Sequence, residues 1–165
     1  MTKKLMMALM LMPMMALAGT IGDGLDNTSR IWTTGGNPSV SGENVNWTYN
    51  TDDSNGDGDC VVSGAGGAGD ATSWLKTTVV GPCKISFYYR FQTYGGSFTF
   101  KCDSNAFISR TGEYTSRDEP WTYEEFELDS GSHELTWEYH HPGMGFVGAF
   151  NLNSSVELYK STIHP

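Results

Sequence analysis

Along much of the chain apolar and polar residues alternate with a period of two, in short runs broken by turn residues. In residues 84–93, Ile85, Phe87, Tyr89 and Phe91 share one parity and Ser86, Tyr88, Arg90 and Gln92 the other. Successive side chains of an extended strand point to opposite sides, so this run predicts a half-buried strand starting after Gly81-Pro82. Tyr94-Gly95-Gly96 predicts a turn into residues 97–102, where Phe98, Phe100 and Cys102 alternate with Thr99 and Lys101; the two runs are expected to form a hairpin. A second hairpin is expected from residues 122–128 and 134–140 around Asp129-Ser130-Gly131-Ser132, with Leu135, Trp137 and Tyr139 on its apolar side. Shorter runs at 30–34, 45–49, 60–63, 74–80, 107–109, 146–152 and 156–160 bring the total to about ten strands, enough for two sheets packed face to face. The expected fold class is all-β, a two-sheet antiparallel β-sandwich of jelly-roll type.

Residues 1–18 depart from this pattern. Lys3 and Lys4 precede an apolar run that ends in Ala16-Leu17-Ala18 before Gly19, the arrangement a signal peptidase accepts. The run is too short to span a bilayer, no later stretch approaches the roughly 20 apolar residues a span needs, and Gly19-Thr20 stands where a lipoprotein carries Cys. The expected organisation is a signal peptide over 1–18 and one β-sandwich domain over 19–165. Such a domain is secreted to the medium, the cell surface or a periplasm, without membrane insertion. The formal charge of −9 becomes more negative once Lys3 and Lys4 are removed. An acidic chain repels phosphate backbones, so nucleic acid is not an expected partner, and cations and neutral ligands are.

Two groups of motifs carry candidate chemistry. Asp53, Asn55, Asp57 and Asp59 offer alternate side-chain oxygens with glycines between them, like the first half of a Ca²⁺ loop, although Gly64 stands where a closing Glu is required. The competing reading is a solvated acidic loop. Cys60, Cys83 and Cys102 make an odd count in an oxidising compartment, which predicts one intramolecular disulfide with the pairing of Cys60 left open, and a third sulfur available between chains. Their spacing lacks the close pairs typical of a zinc-thiolate site.

Ordered along the chain, Leu25-Asp26-Asn27, Trp32-Thr33-Thr34-Gly35-Gly36-Asn37, Ser73-Trp74-Leu75-Lys76-Thr77-Thr78-Val79 and Gly81-Pro82 resemble a repeated β-sandwich domain of large exported bacterial surface proteins. Ile85-Ser86-Phe87-Tyr88-Tyr89-Arg90, Trp121 and residues 130–139 continue the resemblance, which is similar overall to MAM and laminin-G-like jelly rolls. It implies a binding or adhesive role without catalysis, and buried positions for Trp74 and Trp137. Departures are Gly145-Phe146-Val147-Gly148 in place of Gly-Trp-Val-Asp, Cys83 in place of Gly, and a longer loop at 52–59.

Aromatic rings stack on the apolar faces of sugars. Trp47, Trp121, Tyr88 and Tyr123, with Arg90 on the polar face of its strand, are therefore the candidate ligand surface. Glu125, Glu127, Glu134 and Glu138 crowd the second expected hairpin, where a tight turn sets Glu127 opposite Glu134, as a glycoside hydrolase requires of paired carboxylates. The leading expectation is a secreted, non-catalytic module binding a glycan or another extracellular partner, with Ca²⁺ ordering the acidic loop. The alternative is a structural subunit that forms a homo-oligomer by donating residues 153–165 as a strand or through a cysteine. A small glycoside hydrolase is the third reading.

Overall fold

The structure, a computed structural model, describes residues 19–39, 43–51, 56, 58–64, 70–92, 95–112, 120–142 and 155–164. The expected signal peptide and three of the four candidate calcium ligands, Asp53, Asn55 and Asp57, lie outside these residues. One short helix, α1 (Ile21–Gly24), precedes β1 (Thr33–Asn37), β2 (Thr48–Asn50), β3 (Cys60–Val62), β4 (Ala71–Gln92), β5 (Ser97–Cys102), β6 (Asn105–Thr111), β7 (Thr122–His141) and β8 (Ser155–His164). No described helix is long and apolar enough to cross a membrane.

Two long strands organise everything else. β4, rich in the Thr, Val, Ile and aromatic residues that suit a pleated sheet, pairs antiparallel with β7 from Ala71↔His141 to Tyr89↔Thr122. Both strands pass from one layer to the other at the same place, β4 at Gly81-Pro82 and β7 beside it at Asp129–Gly131. In the first layer the leading half of β4 pairs with β1, the trailing half of β7 pairs with β5, and β5 pairs with β6. In the second, the trailing half of β4 lies between the leading half of β7 and β8, and β3 and β2 extend the sheet beyond β8. The predicted two-sheet antiparallel sandwich is thus observed. Its core is aromatic: Phe87 of the second layer meets Phe100 and Trp137 of the first, with ring centroids 4.9 and 5.4 Å away.

The crossing holds a β-bulge. Gly81 pairs with Gly131 but Cys83 pairs with Leu128, so two steps along β4 match three along β7. One extra residue reverses which parity faces the core. Leu128 is buried before the crossing and Leu135, Trp137 and Tyr139 after it. The hairpin expected around residues 129–132 is therefore one continuous strand, and Glu127 lies opposite Lys84 rather than Glu134. The hairpin expected from residues 84–93 and 97–102 is likewise absent, because β4 and β5 have no pairing with each other and β5 hydrogen-bonds to β6 and β7 instead. The hairpin that does form is β5–β6, closed by Asp103 and Ser104 with φ of 49° and 73°, the left-handed pair that a two-residue type I′ turn demands. At the C-terminal end β8 is an inner strand between β3 and β4. Of the segment 153–165 expected as a donated strand, residues 155–164 here fill an inner position of the chain's own sheet.

Candidate functional site on the outer face of the second sheet

The parity that buries Ile85, Phe87, Tyr89 and Phe91 turns Lys84, Tyr88 and Arg90 toward the outer face of β4. Tyr88 pairs across the ladder with Tyr123 of β7, and their rings sit 5.0 Å apart, tilted by 51°. One rung along, the Arg90 guanidinium lies over the Trp121 ring at 4.9 Å from its centre. Two residues of strand advance about 6.6 Å, so Trp121, Tyr123 and Glu125 form a strip roughly 13 Å long. The structure thus brings together four of the five ligand candidates named from sequence: Tyr88, Arg90, Trp121 and Tyr123. Tyr123 is the most open of them at 48 % exposure.

Polar groups border the rings. The Tyr123 hydroxyl donates to Glu125 Oε2 at 3.0 Å, and Lys84 Nζ donates to Glu125 Oε1 at 3.0 Å and lies 3.7 Å from Glu127. The hydrogen bond and charge of Glu125 hold the Lys84 ammonium above its ordinary range, with a smaller contribution from Glu127. This edge presents donors and acceptors beside the apolar rings, the combination that a polyhydroxylated ligand requires.

The fifth candidate is corrected. Trp47 is only 2 % exposed, because its ring fills the core beneath β2 while its backbone N–H donates to Thr34 Oγ1 at 2.6 Å. The resemblance also implies a buried Trp74, yet its even parity on β4 puts it on the outside of the first layer, packed over Gly35 with the Lys76 ammonium 5.4 Å from its ring. Alternation within residues 74–80 carried that signal, since Leu75, Thr77 and Val79 are the buried set.

No disulfide joins the cysteines. Cys60, Cys83 and Cys102 are buried thiols, with Cys60 on β3, Cys83 at the layer crossing and Cys102 at the β5–β6 turn. Burial, then the neighbouring Asp103 carboxylate, push the Cys102 thiol up to about 11, so it is a protonated thiol rather than an activated nucleophile. All three belong to the buried set of the sandwich. Of the candidate calcium ligands the described one, Asp59, accepts a hydrogen bond from the Tyr49 hydroxyl at 3.1 Å.

The carboxylates grouped by sequence are separated by the bulge. Glu125 and Glu127 flank Lys84 on the second layer, whereas Glu134 pairs with Lys76 at 2.8 Å and Glu138 with Lys101 at 2.7 Å on the first. The facing pair expected of a glycosidase does not form. A cluster that sequence reasoning missed sits at the crossing, where His133 Nδ1 meets Asp103 Oδ2 at 2.6 Å and Cys102 lies beside them. Their separation along the chain left no local motif to read.

No protein-family model matches the sequence, and no curated protein matches it. Among solved structures the fold is similar to TmCBM61, a carbohydrate-binding module in complex with β-1,4-galactotriose, at 12 % identity and a TM-score of 0.51 over 80 % of this chain and 86 % of that one. It is also similar to the enzymatically active domain of tailspike protein 4 of bacteriophage CBA120, at 12 % identity and a TM-score of 0.55 over 89 % of this chain. That match spans 21 % of the tailspike chain. Such identities establish architecture alone: they bear out the two-sheet β-sandwich and do not reach the narrower MAM and laminin-G-like resemblance.

Proposed function

We propose that this chain is an exported, non-catalytic carbohydrate-binding module that lays a neutral oligosaccharide along Trp121, Tyr123 and Tyr88. The observation that carries this reading is the outer strip itself, where three large aromatic rings line one sheet face with Arg90, Lys84 and Glu125 among them. Rings supply apolar area against the C–H faces of sugars, and the charged groups supply directed hydrogen bonds to hydroxyls. The architecture shared with TmCBM61, a module solved with a galactotriose, supports the same reading, as does a net charge of −9 that disfavours polyanionic ligands. The adhesive role implied by the sequence resemblance is the same use of a sandwich face, with the glycan on a cell surface.

The test is a titration of neutral β-linked oligosaccharides, galactan and xylan fragments included, by calorimetry. Binding is expected in the wild type and in Trp74→Ala, whose ring lies on the opposite layer, and is expected to be lost in Trp121→Ala/Tyr123→Ala. Equal affinity of the double variant and the wild type rules out this face. Absence of any glycan ligand rules out the function.

Ordering of residues 52–59 by Ca²⁺ belongs to the same proposal, motivated by the spacing of Asp53, Asn55, Asp57 and Asp59. A melting temperature that rises in millimolar calcium, and no longer does so in Asp57→Ala, supports it; an unchanged melting temperature removes it.

A further inference from the structure

Cys102, Asp103 and His133 gather a thiol, a carboxylate and an imidazole where β7 turns into the first layer, away from the aromatic strip on the second. Their ligand-type atoms all lie within 4.8 Å of one another. Cys102 Sγ is 3.8 Å and His133 Nδ1 2.6 Å from the same carboxylate oxygen, Asp103 Oδ2. Zinc bonds of about 2.0–2.3 Å place tetrahedral ligand atoms about 3.3–3.8 Å apart. The thiol and carboxylate already meet that spacing. The imidazole and carboxylate, 2.6 Å apart in a hydrogen bond, have to separate by roughly 0.7 Å to share one ion.

The surroundings orient each of these groups. Asp103 Oδ1 accepts the Glu134 backbone N–H at 2.8 Å, and the Asp103 N–H donates to the Glu134 carbonyl at 2.9 Å, which leaves Oδ2 turned into the cluster. His133 Nε2 is 3.0 Å from the Asp129 carbonyl oxygen. The Asp129 carbonyl and the Asp103 carboxylate can both only accept, so both ring nitrogens donate, and a metal ion would displace the proton on Nδ1 while Nε2 keeps its bond to the carbonyl. A ring nitrogen aimed at ligands, with the other anchored to a backbone carbonyl, is the usual support of a metal-binding histidine. Cys102 itself is 5 % exposed, shielded by the sandwich.

We propose that this corner binds one divalent transition-metal ion of the zinc class through Cys102 Sγ, Asp103 Oδ2 and His133 Nδ1, with solvent as the fourth ligand. Thiolate and imidazole select a borderline-soft ion over Ca²⁺ or Mg²⁺. Binding releases the thiol proton and any proton on Nδ1 to the buffer, so affinity falls as the solution is acidified. The ion ties the β5–β6 turn to the crossing of β7 and so acts on the fold, independently of glycan binding.

The experiment is a Co²⁺ titration of the untagged, reduced chain, followed by absorbance. A thiolate-to-cobalt charge-transfer band saturating at one equivalent, with the visible bands of four-coordinate cobalt and displacement by Zn²⁺, is expected. Cys102→Ser removes the charge-transfer band. Asp103→Asn and His133→Ala each weaken binding about tenfold or more. Cys60→Ser, with its fold checked by circular dichroism, leaves the titration unchanged. A wild type without the band in millimolar cobalt, or a band that survives in Cys102→Ser, overturns the proposal.

Discussion

The Arg90 guanidinium rests on the Trp121 ring at 4.9 Å although Arg90 keeps only 8 % of its surface exposed. The ring shields a cation on the sheet surface, and the cation in turn fixes the ring's position, so neither side chain acts alone. Trp121→Ala is therefore expected to lower glycan affinity roughly thirtyfold, as expected when a central aromatic anchor is truncated. Arg90→Lys is expected to weaken binding as well, because a point charge cannot stack through a planar face. Calorimetry on both variants checks this, and wild-type affinity in both would exclude the strip as the binding surface.

Tyr123 separates ring from hydroxyl. Its ring faces Tyr88 and its hydroxyl reaches Glu125, so Tyr123→Phe retains the apolar platform and Tyr123→Ala removes it. Affinity is expected to change little in Tyr123→Phe and to fall about tenfold in Tyr123→Ala. Folding stability should shift by no more than about 0.5 kcal/mol in Tyr123→Phe, since the site is open to solvent.

Phe87 bridges the layers through contacts with Phe100 and Trp137 while being only 1 % exposed. Truncating a buried aromatic removes transfer free energy and leaves a cavity. Phe87→Ala is expected to cost about 3–5 kcal/mol. Urea unfolding monitored by tryptophan fluorescence measures it, with the midpoint moving and the slope unchanged if the native state stays compact.

The legible and illegible parts of this sequence divide along a physical line. Period-two alternation depends on local geometry, and it correctly identified the buried face of residues 84–91 and the shared outer face of Tyr88 and Arg90. Partner choice depends on the whole sandwich. The reversal of parity between Leu128 and Leu135 reads equally well as a hairpin turn or as a bulge within one strand, and only the pairing of both halves with β4 decides between them. Trp47 immediately precedes the three-residue β2, where no run of alternation is long enough to show which way its ring points. The Cys102–Asp103–His133 cluster is set by the distant meeting of the β5–β6 turn with β7, 30 residues apart along the chain.

The N-terminal helix offers a test of pH dependence. The Thr20 backbone N–H and hydroxyl both donate to Asp23 Oδ2, and these bonds hold the Asp23 carboxyl below its usual 3.8, the backbone bond contributing most. A lowered folded-state value means that the stabilisation is complete above the unfolded value and is lost as pH falls through the folded one. An NMR titration is expected to give Asp23 a midpoint below 3.8 that moves up toward it in Thr20→Ala. Matching midpoints in the two proteins would show that the Thr20 hydroxyl does not bond to Asp23 in solution, since Thr20→Ala leaves the backbone bond in place.

The bulge at the layer crossing makes the sharpest demand on sequence. Gly131 holds φ at 135°, a conformation that costs a residue with a Cβ on the order of 1–3 kcal/mol, so Gly131→Ala should lower stability by that amount in urea. Deleting Ser130 removes the extra residue itself. Residues after the deletion would then have to present Glu134 and Glu138 to the core and turn Leu135, Trp137 and Tyr139 outward, or else lose their register with β4. Neither arrangement buries an apolar face, so the deletion is expected to abolish cooperative unfolding and near-ultraviolet circular dichroism, whereas Ser130→Ala leaves both intact. A deletion variant that still unfolds cooperatively would mean that the crossing absorbs the missing residue elsewhere and that the bulge does not set the facing of β7.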